Sequence, residues 1–189
     1  MLFRSSRLTT RRRRNAGGPK RGRLRKPSAR RALPELKIEV IVKSKRWKSN
    51  KDAGLVMRRA IAAAAATLST PAAELAIVLT DNAAMRLLNR VWRGVDAATN
   101  VLSFPNRSVG GEAALIGDIV LAYETVAAEA RQEGKPFAHH LAHLAVHGFL
   151  HLLGYDHERE KHATAMERLE REILQRLAIP DPYRRGRNA

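Results

Sequence analysis

Residues 137–157 read FAHHLAHLAVHGFLHLLGYDH, and the organisation of the chain follows from this stretch. From Phe137 to Leu153 it predicts a helix, stopped by Gly154, the residue type that accepts the left-handed turn at a helix end. All seven histidines of the chain lie between His139 and His162. His147 and His151 are four apart, so they share one face of the helix, one turn apart. Beyond Gly154 the chain reverses through Tyr155 and Asp156, which can bring His157 back to the same point. Two imidazoles on one face and a third from the returning turn can reach one ion at ~2.0–2.1 Å each. Three neutral nitrogens suit Zn²⁺, and three protein ligands leave a fourth position open, as catalytic zinc sites require.

His139, His143, His147 and His151 form a four-residue stripe, so a rival trio is His143, His147 and His151. Its outer members are separated by ~12 Å along the axis, which sets three ligands nearly in a row and suits a tetrahedral ion badly. The expected ligands are therefore His147, His151 and His157, with His143 supporting them or orienting substrate. A His-rich polar helix edge is the bland alternative. Imidazoles beside Leu144, Phe149, Leu150 and Leu152 would then need partners if buried. The metalloprotease pattern His-Glu-x-x-His puts a general-base Glu directly after the first ligand. Gly148 stands there instead. Asp156 and Asp118 are candidate helper carboxylates, with turn bonding and edge pairing as their simpler roles.

Upstream, Leu36, Ile38, Val40 and Val42 alternate with Lys37, Glu39, Ile41 and Lys43, predicting a strand. An Ala-rich helix follows over residues 51–68, with Pro71 beyond its end. Residues 74–80 predict a second strand. Asp81 caps a short helix with Met85, Leu88 and Val91 near one face. Strands are expected at 101–104 and 116–122 around a loop containing Gly110 and Gly111. Helices at 124–132, 137–153 and 158–177 complete the chain. The expected fold is α+β, a small mixed sheet of about four strands packed with helices. It occupies residues 36–183, between a basic extension (1–35) and a basic tail (184–189).

The formal net charge is +17, and residues 1–34 carry 13 basic residues and no acidic one. Such a segment buries too little surface to order itself, so a disordered arm is expected. It suits a nucleic-acid tail, a transit peptide or an inert extension. There is no cysteine, which excludes disulfides, thiolate ligands and a Cys nucleophile. No apolar run approaches the ~20 residues of a membrane span, and no membrane partner is expected.

The string HGFLHLLGYDH closely resembles the signature of the YbeY family of bacterial endoribonucleases and ribosomal RNA maturation factors. LNRVWRGVD at 88–96, TNVLSFP at 99–105, GDIV at 117–120 and GKP at 134–136 extend the likeness over about residues 38–183. Ala98 stands where the family is expected to have proline, and the basic arm lies outside the resemblance. The resemblance implies a fold similar to small metal-dependent hydrolases. It also implies one Zn²⁺ per chain on His147, His151 and His157, and a functional arginine at Arg93. The implied activity is single-strand-specific cleavage of RNA, in maturation of the 16S rRNA 3′ end and in ribosome quality control. The implied partners are rRNA, the small ribosomal subunit and its ribosomal or assembly proteins, and the expected compartment is the cytoplasm.

The chemistry is compatible with that task. A metal supplies a nucleophile at neutral pH, and a guanidinium pairs with phosphoryl oxygens. Arg93 thus joins His147, His151 and His157 as an expected catalytic residue. Asn100 and Ser103 are candidate polar liners. Trp92 and Tyr155 could stack on unpaired bases, though packing is the simpler expectation for both. Two rival functions remain open. One is a hydrolase of another substrate, such as a peptidase or amidohydrolase. The other is a non-catalytic, zinc-containing assembly factor.

Overall fold

The computed structural model describes residues 36–106, 114–157 and 159–184. The basic extension, the Gly110–Gly111 loop and the tail beyond Arg184 lie outside the described residues. Alternation along the first segment produces β1 (Leu36–Val42), whose Leu36, Ile38 and Val40 are half-buried while Lys37 and Glu39 are exposed. Val42 departs from the expected pattern. It stands 58% exposed where the strand runs out.

The chain then makes a 3₁₀ helix, Lys45–Ser49, which the apolar pattern does not announce. Its anchor is Trp47, buried and donating from its indole to the Thr80 carbonyl at 2.7 Å. Next comes α1 (Ala53–Leu68), rich in the best helix former. It buries Ala53, Met57, Ala60, Ile61 and Ala64 along one stripe and stops at Ser69 in the left-handed region.

β2 (Ala73–Thr80) pairs in parallel with β1, Leu36 opposite Ala73 through Val42 opposite Leu79. Asp81 caps α2 (Asn82–Arg93) as expected, accepting from the Ala84 amide at 3.1 Å. On α2 Met85 and Asn89 are the buried residues, and Leu88 is half-buried. Val91 is 73% exposed, against expectation, because no further element covers that side of α2 among the described residues.

β3 (Val101–Pro105) runs antiparallel to β4 (Ala114–Ala122), and β4 pairs in parallel with β2. The sheet order is β1-β2-β4-β3, a four-stranded mixed sheet. Gly117 sits where β4 slips its register against β2, at φ +135. A Cβ there would lie 2.1 Å from the Phe104 carbonyl oxygen, so no other residue fits.

Three helices complete the domain: α3 (Tyr123–Gln132), α4 (Phe137–Leu152) and α5 (Glu160–Arg176). Leu75, Ile77, Leu79, Ile119 and Leu121 from one sheet face join α1 and α4 in a single core with Val126, Met166, Ile173 and Leu174. Burying each such large side chain contributes ~1.5–3 kcal/mol. Alanines of α1 (Ala60, Ala64) and α4 (Ala142, Ala145) are buried together in it, which lets the two helices approach closely. The opposite face carries a much smaller cluster, Met85, Leu102, Val120 and Ala122, beneath α2. No helix among the described residues is long and apolar enough to cross a membrane.

Candidate metal centre and its surroundings

Helix α4 is buried on nearly every side, and only its stripe of half-buried histidines keeps a polar edge. It lies close against the sheet at Gly148. A Cβ there would be 2.9 Å from Ile119 Cγ2 and 3.1 Å from Ser103 Oγ. The position after the first candidate ligand is therefore a packing point with no room for the glutamate of a metalloprotease.

Immediately before Gly148 and three residues after it the helix presents His147 and His151, one turn apart on one face. Gly154, at φ +89, then reverses the chain and brings exposed His157 to them. One nitrogen from each ring lies within 4.8 Å of the others. The ring centroids are 4.5 Å apart for His147–His151, 5.0 Å for His151–His157 and 5.5 Å for His147–His157. His143 is not part of this set. Its ring centre is 6.4 Å from that of His147.

The second nitrogen of each helical ligand is held. His147 Nδ1 is 2.8 Å from Glu170 Oε1, and His151 Nδ1 is 2.9 Å from the Tyr155 carbonyl oxygen. Glu170 is fully buried. Burial alone would raise its pKa, but hydrogen bonds from His143 and His147 overcome that and hold it at about 2, with Tyr183 adding another. An ionised carboxylate and a carbonyl can only accept, so both Nδ1 atoms carry the proton.

That leaves the two Nε2 atoms as the open positions, and they face each other at 3.1 Å. Desolvation, with the charges of His147 and His157 nearby, pushes the pKa of His151 down to about 4. It is neutral at pH 7, so its Nε2 offers a lone pair. Two nitrogens bound at ~2.0–2.1 Å to a tetrahedral ion would lie about 3.3 Å apart. The donor set thus fits a divalent cation of imidazole preference, and the carboxylate–histidine and carbonyl–histidine bonds are those that orient metal ligands.

Glu170 and Tyr183 were missed in the sequence. Glu170 carries both His147 and, through Oε2, His143 at 3.1 Å, while the Tyr183 hydroxyl donates to it as well. Burial and that bond raise the Tyr183 pKa. A signal did exist. Met166, Glu170, Ile173 and Leu174 are the buried residues of α5, so the glutamate falls on the apolar stripe of its helix.

The remaining candidates divide. Arg93 ends α2 ahead of Gly94 in the left-handed region, and its charge contributes to the lowered pKa of His151. Ser103 donates to the Gly148 carbonyl at 3.1 Å, and Asn100 donates to Glu129. Asp156 pairs with His162 at 3.1 Å, and Asp118 is exposed on the α2 side of the sheet, the face opposite α4. Tyr155 packs on the core as expected. Trp92 does not, being 67% exposed.

A four-stranded α+β domain whose central helix and following turn converge three imidazoles is a candidate metalloprotein with an open coordination position. The family model described as Endoribonuclease YbeY matches residues 39–178. Proteins named Endoribonuclease YbeY from Rhodopseudomonas palustris strains BisB18 and BisA53 are 53% and 54% identical over 152 residues. Each alignment covers 77% of this chain, and 90% and 88% of the relatives respectively. One from Nitrobacter hamburgensis is 51% identical over 160 residues, 80% of this chain and 83% of its own. The chain belongs to the endoribonuclease YbeY family.

Proposed function

We propose that the protein is a zinc-dependent endoribonuclease of single-stranded RNA, holding one Zn²⁺ on His147, His151 and His157 and acting on 16S rRNA at its 3′ end. The observation that carries this reading is the pair of lone-pair nitrogens facing each other at 3.1 Å, each fixed from behind by an acceptor. Family membership supplies the RNA. Bound there, zinc would lower the pKa of a coordinated water toward ~7 and polarise a phosphoryl oxygen.

The chain's own residues do the rest. Glu170 holds the proton on His147 Nδ1, and the Tyr155 carbonyl holds the one on His151 Nδ1, so neither ring can turn its bare nitrogen away. Arg93 offers a forked guanidinium to two phosphoryl oxygens. Gly148 keeps α4 against β3 and β4, which fixes where the imidazoles emerge. The same glycine counts against a peptidase built on a glutamate at that position. The ribosomal setting and the cytoplasm follow from the family resemblance and suit a net charge of +17.

The test is cleavage of a single-stranded rRNA 3′-end fragment by purified protein beside His157→Ala and Arg93→Ala, with zinc content measured for each. His157 is exposed, so its loss leaves the core intact. Wild type should cut, His157→Ala should lose zinc and activity, and Arg93→Ala should keep zinc and lose activity. Equal cutting by all three removes the assignment. A wild type that binds zinc and RNA without cutting points to an assembly factor. A cyclic phosphate on the product would make the RNA 2′-hydroxyl, rather than water, the nucleophile.

A further inference from the structure

The sheet face beneath α2 is left open along a groove of about 1020 Å³ whose lining includes Lys43, Leu88, Trp92, Arg93, Phe104 and Asp118. That volume is at the top of the range of small-molecule sites, ~300–1,000 Å³, so it takes an extended ligand. We propose that this groove is the track for the unpaired bases of the RNA strand, with Trp92 as a stacking platform and Lys43 as a second phosphate contact beyond Arg93. The inference rests on the reading of RNA as substrate and deepens it.

Trp92 is the first argument. The chain has two tryptophans, and their environments are opposite: Trp47 is 2% exposed and Trp92 is 67% exposed. An indole left in water forfeits the burial that usually holds it. Among the described residues its ring contact is with Phe104, centroids 5.6 Å apart and planes 65° apart. A contact so tilted covers at most one face of the indole. The other is free for a base, and every base has a π-face to stack.

The distribution of charge is the second. Lys43 follows the edge strand β1, whereas Arg93 lies toward the opposite edge strand β3, near enough to His151 for its charge to be felt there. Between them the floor is apolar, with Val78, Val120 and Phe104, and among the described residues it carries one carboxylate, Asp118. A phosphate over that floor would meet Asp118, whereas the amino edge of a base would find an acceptor. Bases therefore lie along the floor and phosphates over the margins. A second copy of the chain is disfavoured as occupant, because each copy carries a formal charge of +17.

Continuity with the metal centre is the third. Arg93 lines the groove and its charge is felt at His151, so the Arg93 end of the groove is the end toward the three histidines.

The test uses the full-length protein, a short unstructured RNA and an abasic strand of the same length. Because Trp47 is sheltered, the change in tryptophan emission on adding RNA reports on Trp92. The RNA should quench the emission, the abasic strand should not, and Trp92→Phe should lose the signal. Trp92→Ala should raise KM about tenfold, within the range that one stacked base contributes, with kcat held within about threefold. Its salt dependence of binding should not change, whereas Lys43→Ala should lower that slope by about 0.7, the value for one phosphate contact on a single strand.

Unchanged KM in Trp92→Ala, or quenching by the abasic strand equal to that by RNA, overturns the base track and leaves the nuclease reading standing. A wild type that neither binds nor cuts RNA overturns that reading first, and this one with it. A change in sedimentation of the protein alone on Trp92→Ala makes the surface a self-association face and also overturns the proposal. Zinc content and circular dichroism of Trp92→Ala, matched to wild type, exclude misfolding as the cause of a raised KM.

Discussion

His140 and His147 lie seven residues apart on the same helix, and each has a carboxylate oxygen 2.8 Å from one ring nitrogen. They differ in what the other nitrogen meets. In His140, Nε2 pairs with Glu129, while Nδ1 is buried without a partner among the described residues. In His147, Nδ1 pairs with Glu170, and Nε2 opens toward His151 and His157. Burial follows the same division: His140 is 4% exposed, and His147 keeps an accessible edge. A carboxylate behind a histidine is therefore no sign of a ligand by itself. What makes a ligand is a second nitrogen that emerges where other second nitrogens emerge. The candidate metal centre is the place where three such atoms converge, and the His140–Glu129–Asn100 group joins α4 to α3 and to the start of β3.

The largest effect expected from that difference is at His157. Its ring is exposed and its structural cost is small, so His157→Ala should keep its fold. It should lose metal affinity and RNA cleavage by more than the ~10–100-fold that partners behind the ligands usually carry. Metal content by elemental analysis and thermal unfolding with and without chelator are the measurements. Wild type should unfold earlier when stripped, because an ion bound only by the native state stabilises it by mass action. His157→Ala should unfold at one temperature in both conditions. A variant that retains its ion would show that two histidines and solvent suffice.

Glu170→Gln comes next. The carboxylate accepts from His143, His147 and Tyr183, and a neutral amide presents an N–H to one of those donors. Metal affinity should fall ~10–100-fold, and unfolding free energy should fall by about 1–3 kcal/mol because a buried donor loses its acceptor. If affinity is unchanged while stability drops, Glu170 serves the fold and not the ligand. His140→Leu should do the reverse of His157→Ala. It removes an orphaned buried nitrogen together with one bond to Glu129, which Asn100 still satisfies. The net loss should be about 1 kcal/mol in denaturant unfolding, with full metal content. Loss of metal on His140→Leu would erase the distinction between the two histidines.

These two groups also show what the sequence could tell and why. His147, His151 and His157 were legible because their convergence is local: four residues of helix, a glycine reversal and a three-residue return. The strands and helices were legible from their periods, and Asp81 from its capping chemistry. Glu170 stayed hidden because its link to His147 spans 23 residues and depends on how α5 packs on α4. The exposure of Val42, Val91 and Trp92 was illegible for the same reason. Periodicity marks an apolar face, but whether another element covers that face is settled by topology. The residue pattern shows Gly148 only as a missing base, whereas its meaning lies in the packing of α4 on Ile119 of the sheet.

His143 gives the smallest expected effect and the sharpest test of the site, because it belongs to both groups in part. It shares Glu170 with His147, through Nε2 at 3.1 Å, yet its ring centre is 6.4 Å from that of His147. In His147–His151 the same spacing of four residues brings the centroids to 4.5 Å. The rings of the second pair lean together and those of the first do not. His143→Ala should therefore leave metal stoichiometry unchanged and shift affinity by less than about threefold, below the ~10–100-fold typical of a lost partner behind a ligand. It should cost about 1 kcal/mol of stability, since Glu170 keeps two donors and the vacated site is half-buried and open to water. His143→Gln, whose amide can still donate to Glu170, should recover most of that stability. Metal titration of His143→Ala beside His157→Ala separates the two possible trios directly. If His143→Ala strips the ion and His157→Ala does not, the ligands are the row His143, His147 and His151, and the return of the chain through Gly154 has no part in holding it.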